Sequence, residues 1–129
     1  QIFFDYDFQN SMNSSIITTG NELSNEELIE FSKKLNIQEL YKYAKLVKET
    51  SEKIILEISY EETKLKIPEE KKEYLKSLKV VSLNESSSWL IDYWCGKNVR
   101  GLLQMPFSRH WIMHVEACLK MKNKLEERK

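Results

Sequence analysis

The two histidines of this 129-residue chain lie four residues apart, at His110 and His114, within the stretch PFSRHWIMHVEAC. Residues four apart on an α-helix are neighbours on its surface, and two imidazoles at this spacing can hold one transition-metal ion. With about 100° of rotation per residue, both rings point to the same side, at the edge of the helix's apolar face. The spacing therefore predicts two ligands of a divalent metal site, with zinc or nickel as the ion.

Two histidines do not complete such a site, because catalytic zinc has three protein ligands and structural zinc has four. Glu116 lies on the opposite side of the same helix and cannot bind the same ion. Trp111 follows His110, so the chain lacks the glutamate of the His-Glu-x-x-His metalloprotease motif. The spacing is also compatible with a purely structural pair, in which His114 hydrogen-bonds a neighbour at the edge of the core. Both interpretations stay open here.

The composition describes a globular chain, with 41% apolar and 31% charged residues. We expect a single domain over residues 1–129. Twenty basic residues balance twenty acidic ones, so the basic excess typical of nucleic-acid or anionic-membrane binding is absent. No apolar run approaches the roughly 20 residues of a membrane-spanning helix. With no signal peptide at Gln1, we expect a cytoplasmic protein, and a start other than Met suggests a preceding N-terminal piece.

The two cysteines, Cys95 and Cys118, lie among apolar neighbours in DYWCG and VEACLK. This context predicts reduced, buried thiols in a cytosolic protein, with a disulfide between them as the less favoured alternative. Neither has the electropositive, exposed surroundings of a reactive cysteine, so we expect both to pack in the core.

The local signals are helical almost throughout. Three glycines and two prolines are too few for a turn-rich all-β domain. Helix starts are predicted at the capping box Ser24–Glu27, at Asn36, at Pro68, at a further capping box Ser82–Glu85 and at Pro106.

The longest predicted helix spans about residues 37–58, and its inward positions step by three and four: Ile37, Leu40, Tyr41, Ala44, Val47, Ser51, Ile54, Ile55 and Ile58. The helix that follows Ser82–Glu85 is predicted to turn Trp89, Leu90, Tyr93 and Trp94 inward. A β-hairpin formed by IILEISY and KLKI is the competing interpretation. It is disfavoured because the intervening EET lacks hairpin turn residues.

Three stretches resemble the DinB-like superfamily, which includes bacillithiol transferases and mycothiol-dependent isomerases. They are ISYEETKLKIPEE at 58–70, NESSSWLIDYWCGK at 84–97 and RHWIMHVEA at 109–117, and the similarity covers about residues 37–125. The resemblance implies an all-α, up-down-down-up four-helix bundle with short additional helices. It also implies a frequent homodimer and a divalent metal held by three histidines.

The resemblance assigns His110 and His114 to the family's histidine pair on the last long helix. The family's remaining ligand lies on an earlier helix, and this chain has no third histidine. The register places Gln1 near that position and Asp5 one turn later. Three alternatives follow: the ligand precedes Gln1, or Asp5 or Asp7 replaces it, or the site is degenerate.

The implied activity is that of a metal-dependent thiol transferase or hydrolase acting on a small-molecule or thiol substrate. A metal with an open position would lower the pKa of water or of a bound thiol and so produce a nucleophile. The alternative is a non-catalytic helical-bundle protein that acts in binding or stress response.

Overall fold

The computed structural model describes residues 2–106 and 109–127, and these residues form an all-α structure. The only strand-like pairing within this part of the chain is an isolated antiparallel bridge between Lys66 and Asn98. The all-α part of the predicted fold class is therefore confirmed, and the hairpin interpretation of residues 54–67 is wrong.

Nine α-helices and one short 3₁₀ helix follow one another in the described residues. In chain order the α-helices are α1 (Ile2–Asp5), α2 (Phe8–Ser11), α3 (Asn25–Lys34), α4 (Ile37–Glu57), α5 (Glu69–Ser77), α6 (Glu85–Ser88), α7 (Leu90–Cys95), α8 (Val99–Gln104) and α9 (Arg109–Glu126). The 3₁₀ helix, Glu62–Lys64, lies between α4 and α5.

The first two predicted helix starts are confirmed by their hydrogen bonds. At the start of α3, Ser24 Oγ accepts from the Glu27 N–H at 3.2 Å, and the Glu27 carboxylate accepts from the Ser24 N–H at 2.8 Å. At the start of α4, Asn36 Oδ1 accepts from the N–H groups of the second and third helical residues. Each cap satisfies backbone donors that a helix start leaves without an intrahelical partner.

The later starts were placed less accurately. Pro68 is the residue before α5 rather than its first residue. The predicted capping box Ser82–Glu85 does not form, because Ser82 Oγ accepts instead from the Asn84 N–H at 3.2 Å and Asn84 precedes α6. The last helix is described from Arg109, while residues 107–108 lie outside the described part.

The sequence analysis missed a reciprocal cap at the 3₁₀ helix. The Glu62 carboxylate accepts from the Ser59 N–H at 2.8 Å, and Ser59 Oγ accepts from the Glu62 N–H at 3.3 Å. These hydrogen bonds hold the pKa of Glu62 below its usual value, because they favour the ionised carboxylate. The cap lies in the turn that follows α4, where the hairpin interpretation joined the end of its first strand to the connecting EET.

The buried apolar side chains are concentrated in two small regions. In the first, α1 and α2 lie against α4, where Phe8 is buried and the rings of Phe3 and Phe8 make edge contacts with Tyr43 at centroid distances of 5.8 and 5.2 Å. In the second, α5 packs on α7 around the buried side chains of Val81, Leu90 and Ile91.

An ion pair also joins α5 to α7. Lys72 Nζ lies 2.9 Å from Asp92 Oδ1. The hydrogen bond and charge of this contact lower the pKa of Asp92 and raise the pKa of Lys72. Both groups are solvent-accessible, so the contact orients the two helices more than it stabilises the fold.

The last helix, α9, is not among the elements that pack closely on one another. Every described side chain from residue 110 to residue 127 is exposed. The chain has an accessible surface of 10463 Å² for a mass of 15.4 kDa. A compact monomer of that mass has about 7,200 Å². The excess shows that much apolar surface, including that of α9, is not covered within one copy of the chain.

Several side chains predicted to point inward are exposed. On α4 they include Ile37, Tyr41, Ala44, Ser51, Ile54 and Ile55. The predicted inward positions of Leu40 and Val47 are confirmed. Tyr43, Leu46 and Thr50 are covered as well, so the centre of the covered face is turned by about a quarter of the circumference from the predicted one. The aromatic rings of α1 and α2 approach α4 from that side, which decides the face that is covered.

The segment at residues 84–95, which contains α6 and α7, also differs from the prediction in which side chains are buried. Trp89 is 53% exposed and Tyr93 is 46% exposed, whereas Leu90 and Ile91 are buried. Trp89 separates α6 from α7. The predicted inward position of Leu90 is confirmed, while those of Trp89 and Tyr93 are wrong.

We expect Ile91→Ala to lower the free energy of unfolding by about 2 to 4 kcal/mol, because it removes buried methyl groups from one of the two small cores. The measurement is urea unfolding followed by circular dichroism. Leu83→Ala is the matched control, since Leu83 is 95% exposed and its loss should change stability by about 0.5 kcal/mol or less. Equal effects of the two variants would contradict the placement of this core.

Candidate metal centre

His110 and His114 lie on consecutive turns of α9, and their rings are in direct contact. The two Nε2 atoms are 3.1 Å apart, within hydrogen-bond distance. The ring centroids are 4.5 Å apart and the ring planes are inclined by 74°. The regular helix Arg109–Glu126 sets this geometry, because residues four apart lie one above the other.

This separation fits the geometry of a shared metal ion. Zinc binds imidazole nitrogen at about 2.0–2.1 Å, and in a tetrahedral site two such nitrogens lie roughly 3.3 Å apart. The observed 3.1 Å between the Nε2 atoms is close to that value. Without a metal, one nitrogen must donate a proton to the other, whereas a metal ion would be bound by the lone pairs of both. The pair therefore fits two positions of a divalent transition-metal site.

The described residues do not supply a third ligand. No three histidine, cysteine, aspartate or glutamate side chains in residues 2–106 and 109–127 gather closely enough to hold a metal ion. Asp5, on α1, is thus not brought together with the histidine pair. Asp7 accepts a hydrogen bond from the side chain of Asn10 at 2.7 Å. Gln1, the residue placed by the resemblance nearest the missing ligand, lies outside the described part.

The surroundings of the pair are apolar on one side. A cleft of about 500 Å³ on α9 is lined by Trp111, His114, Val115, Cys118, Leu119 and Lys122. Both imidazoles are exposed, so an ion in solution has direct access to them. The positive charge of Lys122 is partly offset by Glu126, whose carboxylate lies 3.7 Å away. The pair is therefore an open, solvent-accessible half-site next to an uncovered apolar surface.

The expectation that both cysteines are buried is wrong for Cys118. Both are free thiols in the structure; Cys95 is half-buried next to the α5–α7 core, and Cys118 is exposed on α9. Cys118 follows His114 by one helical turn, on the same side of the helix. Its exposure follows from the lack of packing on α9 and could not be read from its apolar sequence neighbours.

A second cavity, which the sequence analysis missed, lies between the N-terminal helices and α3 and α4. It has a volume of about 660 Å³, and its wall includes Phe3, Phe4, Met12, Phe31, Tyr43 and Val47. The loop at residues 14–23 closes one side, held by a hydrogen bond from the Thr19 N–H to the Val80 carbonyl at 2.9 Å. The sequence feature that could have indicated this cavity is the pair of adjacent isoleucines, Ile16 and Ile17, in a loop whose other residues are mostly polar.

A buried carboxylate lies in the same loop. Thr18 Oγ1 donates to one oxygen of Glu22 in a short contact. The other oxygen, Oε2, is buried and has no hydrogen-bond partner among the described residues. An unpaired buried carboxylate oxygen is unfavourable unless a donor reaches it.

Comparison with known proteins gives no relative: no family model, no curated protein and no solved structure matches this chain. The similarity to DinB-like proteins therefore rests on the three quoted stretches alone. Among the described helices, none has the length and apolarity needed to cross a membrane.

We expect a disulfide-exchange reagent to modify Cys118 much faster than Cys95, because Cys118 is exposed and Cys95 is half-buried. The rate of release of the coloured thiol reports the reaction. The native chain should show one fast and one slow thiol, and Cys118→Ser should retain only the slow one. Slow reaction of both thiols would mean that α9 packs in the core.

Proposed function

We propose that this chain binds a divalent transition-metal ion, zinc or nickel, through His110 and His114. The observation that carries the proposal is the 3.1 Å separation of the two Nε2 atoms. We propose further that the site serves DinB-type chemistry, the transfer of a thiol to a small molecule or the hydrolysis of a small substrate. This second part is supported by the similarity of three stretches of the sequence.

A bound divalent ion would lower the pKa of water or of a thiol and so supply a nucleophile at neutral pH. In this proposal the histidines would bind the ion, and the apolar side chains beside them would contact the substrate. His110 and His114 hold the ion by their Nε2 atoms. Trp111 and Val115, which line the adjacent open groove, would offer an apolar surface to one side of a bound substrate.

We propose that the same four-helix bundle would bring a third ligand to the histidine pair. Asp5 remains a candidate third ligand, and it would reach the histidines only if α9 folded back towards α1. In an up-down-down-up four-helix bundle, the exposed apolar face of α9 would cover uncovered side chains of α4 such as Ile54 and Ile55. The large exposed apolar surface of both helices supports such a closure.

The metal-binding proposal is tested by dialysis of the chain against ZnCl₂ or NiCl₂, followed by elemental analysis. We expect the native chain to retain the metal, and His110→Ala or His114→Ala to weaken its affinity at least about tenfold. Even loss of an outer hydrogen-bond partner of a ligand typically costs that much.

Glu116→Ala is the matched control for the metal experiment. Glu116 is equally exposed on α9 but faces away from the histidines, so its loss should leave metal binding unchanged. Retention of metal by the histidine variants, or its absence from the native chain, would refute the proposal.

A second candidate function is the non-catalytic binding of an apolar ligand, and the cavity of about 660 Å³ favours it. Small-molecule sites are typically concave, largely apolar and about 300–1,000 Å³ in volume. Aromatic and aliphatic side chains dominate this cavity wall, and the hydroxyl groups of Thr18 and Thr19 lie at one side. This function requires no metal and no catalytic residue.

We expect Val47→Phe to weaken the binding of the neutral fluorophore N-phenyl-1-naphthylamine several-fold, because the larger ring would fill part of the cavity. Fluorescence titration gives the affinity. Ala44→Phe is the control, since it adds the same ring to an exposed position of α4 that does not line the cavity. Equal affinities of the two variants would exclude this cavity as the binding site.

A further inference from the structure

We infer that two copies of this chain share one metal ion, with the His110–His114 pair of each copy supplying two of its four ligands. The inference rests on the proposed metal binding by His110 and His114. It replaces the closure of α9 on α4, with Asp5 as ligand, by a partner that completes the site. The partner is a second copy of the same chain, and it docks on α9.

The first argument is the number of donors. One copy presents two imidazole nitrogens at 3.1 Å, and the described residues bring no third metal ligand near them. If a two-fold axis passes through the ion, the second copy adds two more imidazole nitrogens. The total of four is the number of ligands in a closed tetrahedral zinc site. Symmetry thus completes the site without any movement of α1 or α4.

The second argument is the uncovered surface beside the histidines. Trp111 is 62% exposed, and Trp111 and Cys118 lie within about 60° of His114 around the helix. The chain exposes 10463 Å², about 3,000 Å² more than a compact monomer of its mass. A stable interface needs about 800 Å² from each partner. The excess belongs to the whole chain, and the face of α9 beside the histidines, where every described side chain from residue 110 to residue 127 is exposed, is part of it.

The third argument concerns the arrangement of the two helices. The C-terminal half of α9 carries Lys120, Lys122 and Lys124, against Glu126 alone. Parallel pairing along the whole helix would place these lysines near their own copies and would be unfavourable. A crossing at the turn of His110 and His114 brings four imidazoles together while the two basic halves diverge. The same charges disfavour a basic partner.

The test is a ZnCl₂ titration of the full chain, with mass measured by light scattering and bound zinc by elemental analysis. We expect the mass to double from 15.4 kDa at one zinc per two chains, and EDTA to restore the monomer. His114→Ala should remain monomeric, and Glu116→Ala should behave as the native chain. Because α9 is exposed, circular dichroism should show that each variant is folded.

The possible outcomes separate this inference from the proposed function. One zinc per chain in a 15.4 kDa monomer would overturn the shared site and leave metal binding intact. A dimer that responds to neither ZnCl₂ nor EDTA would also overturn it. Absence of bound zinc would overturn the shared zinc site, and absence of both zinc and nickel after dialysis would overturn the metal-binding proposal as well. Cys118→Ser should keep the zinc-dependent doubling, and its failure to do so would exclude a site of four imidazoles.

Discussion

The contact between His110 and His114 depends on the helix that carries both rings, and none of the described elements covers that helix. The helical repeat brings the two side chains together, with their Nε2 atoms 3.1 Å apart, and both rings are open to solvent. A covered helix would desolvate the imidazoles and supply further donors from its neighbours. On this uncovered helix the pair supplies two donors, so a metal site built on it would need its other ligands from a different part of the chain or from another molecule.

The distribution of buried side chains explains why α9 is available for such a role. The two packed regions, α1 and α2 on α4 and α5 on α7, both lie outside α9 and involve few fully buried residues. Burial of apolar surface is the main favourable term in folding, at about 25 cal/mol per Å². A chain that leaves so much apolar surface exposed has a strong tendency to cover it by association. Metal binding and association at α9 would then reinforce each other.

Local interactions made much of the fold predictable. The caps at Ser24 and Asn36 form between residues two or three apart, so the starts of α3 and α4 could be read directly from the sequence. The His110–His114 contact is local in the same sense, because it needs only one turn of helix. The capping box predicted at Ser82 did not form, because the Ser82 hydroxyl accepts from the Asn84 N–H and not from the Glu85 N–H. Both donors are near in sequence, so local pattern alone did not distinguish them.

The sequence by itself determined the all-α class, the long helix α4 and the facing histidines, since helix caps and the 3.6-residue repeat depend on neighbouring residues only. Tertiary structure decided which faces are covered. On α4, Tyr43 rather than Tyr41 packs against the aromatic rings of α1 and α2, and Cys118 is exposed despite its apolar neighbours. The cavity beside Val47 likewise depends on segments distant in the sequence. An apolar stripe shows that a face can be buried, but the approach of other elements decides whether it is.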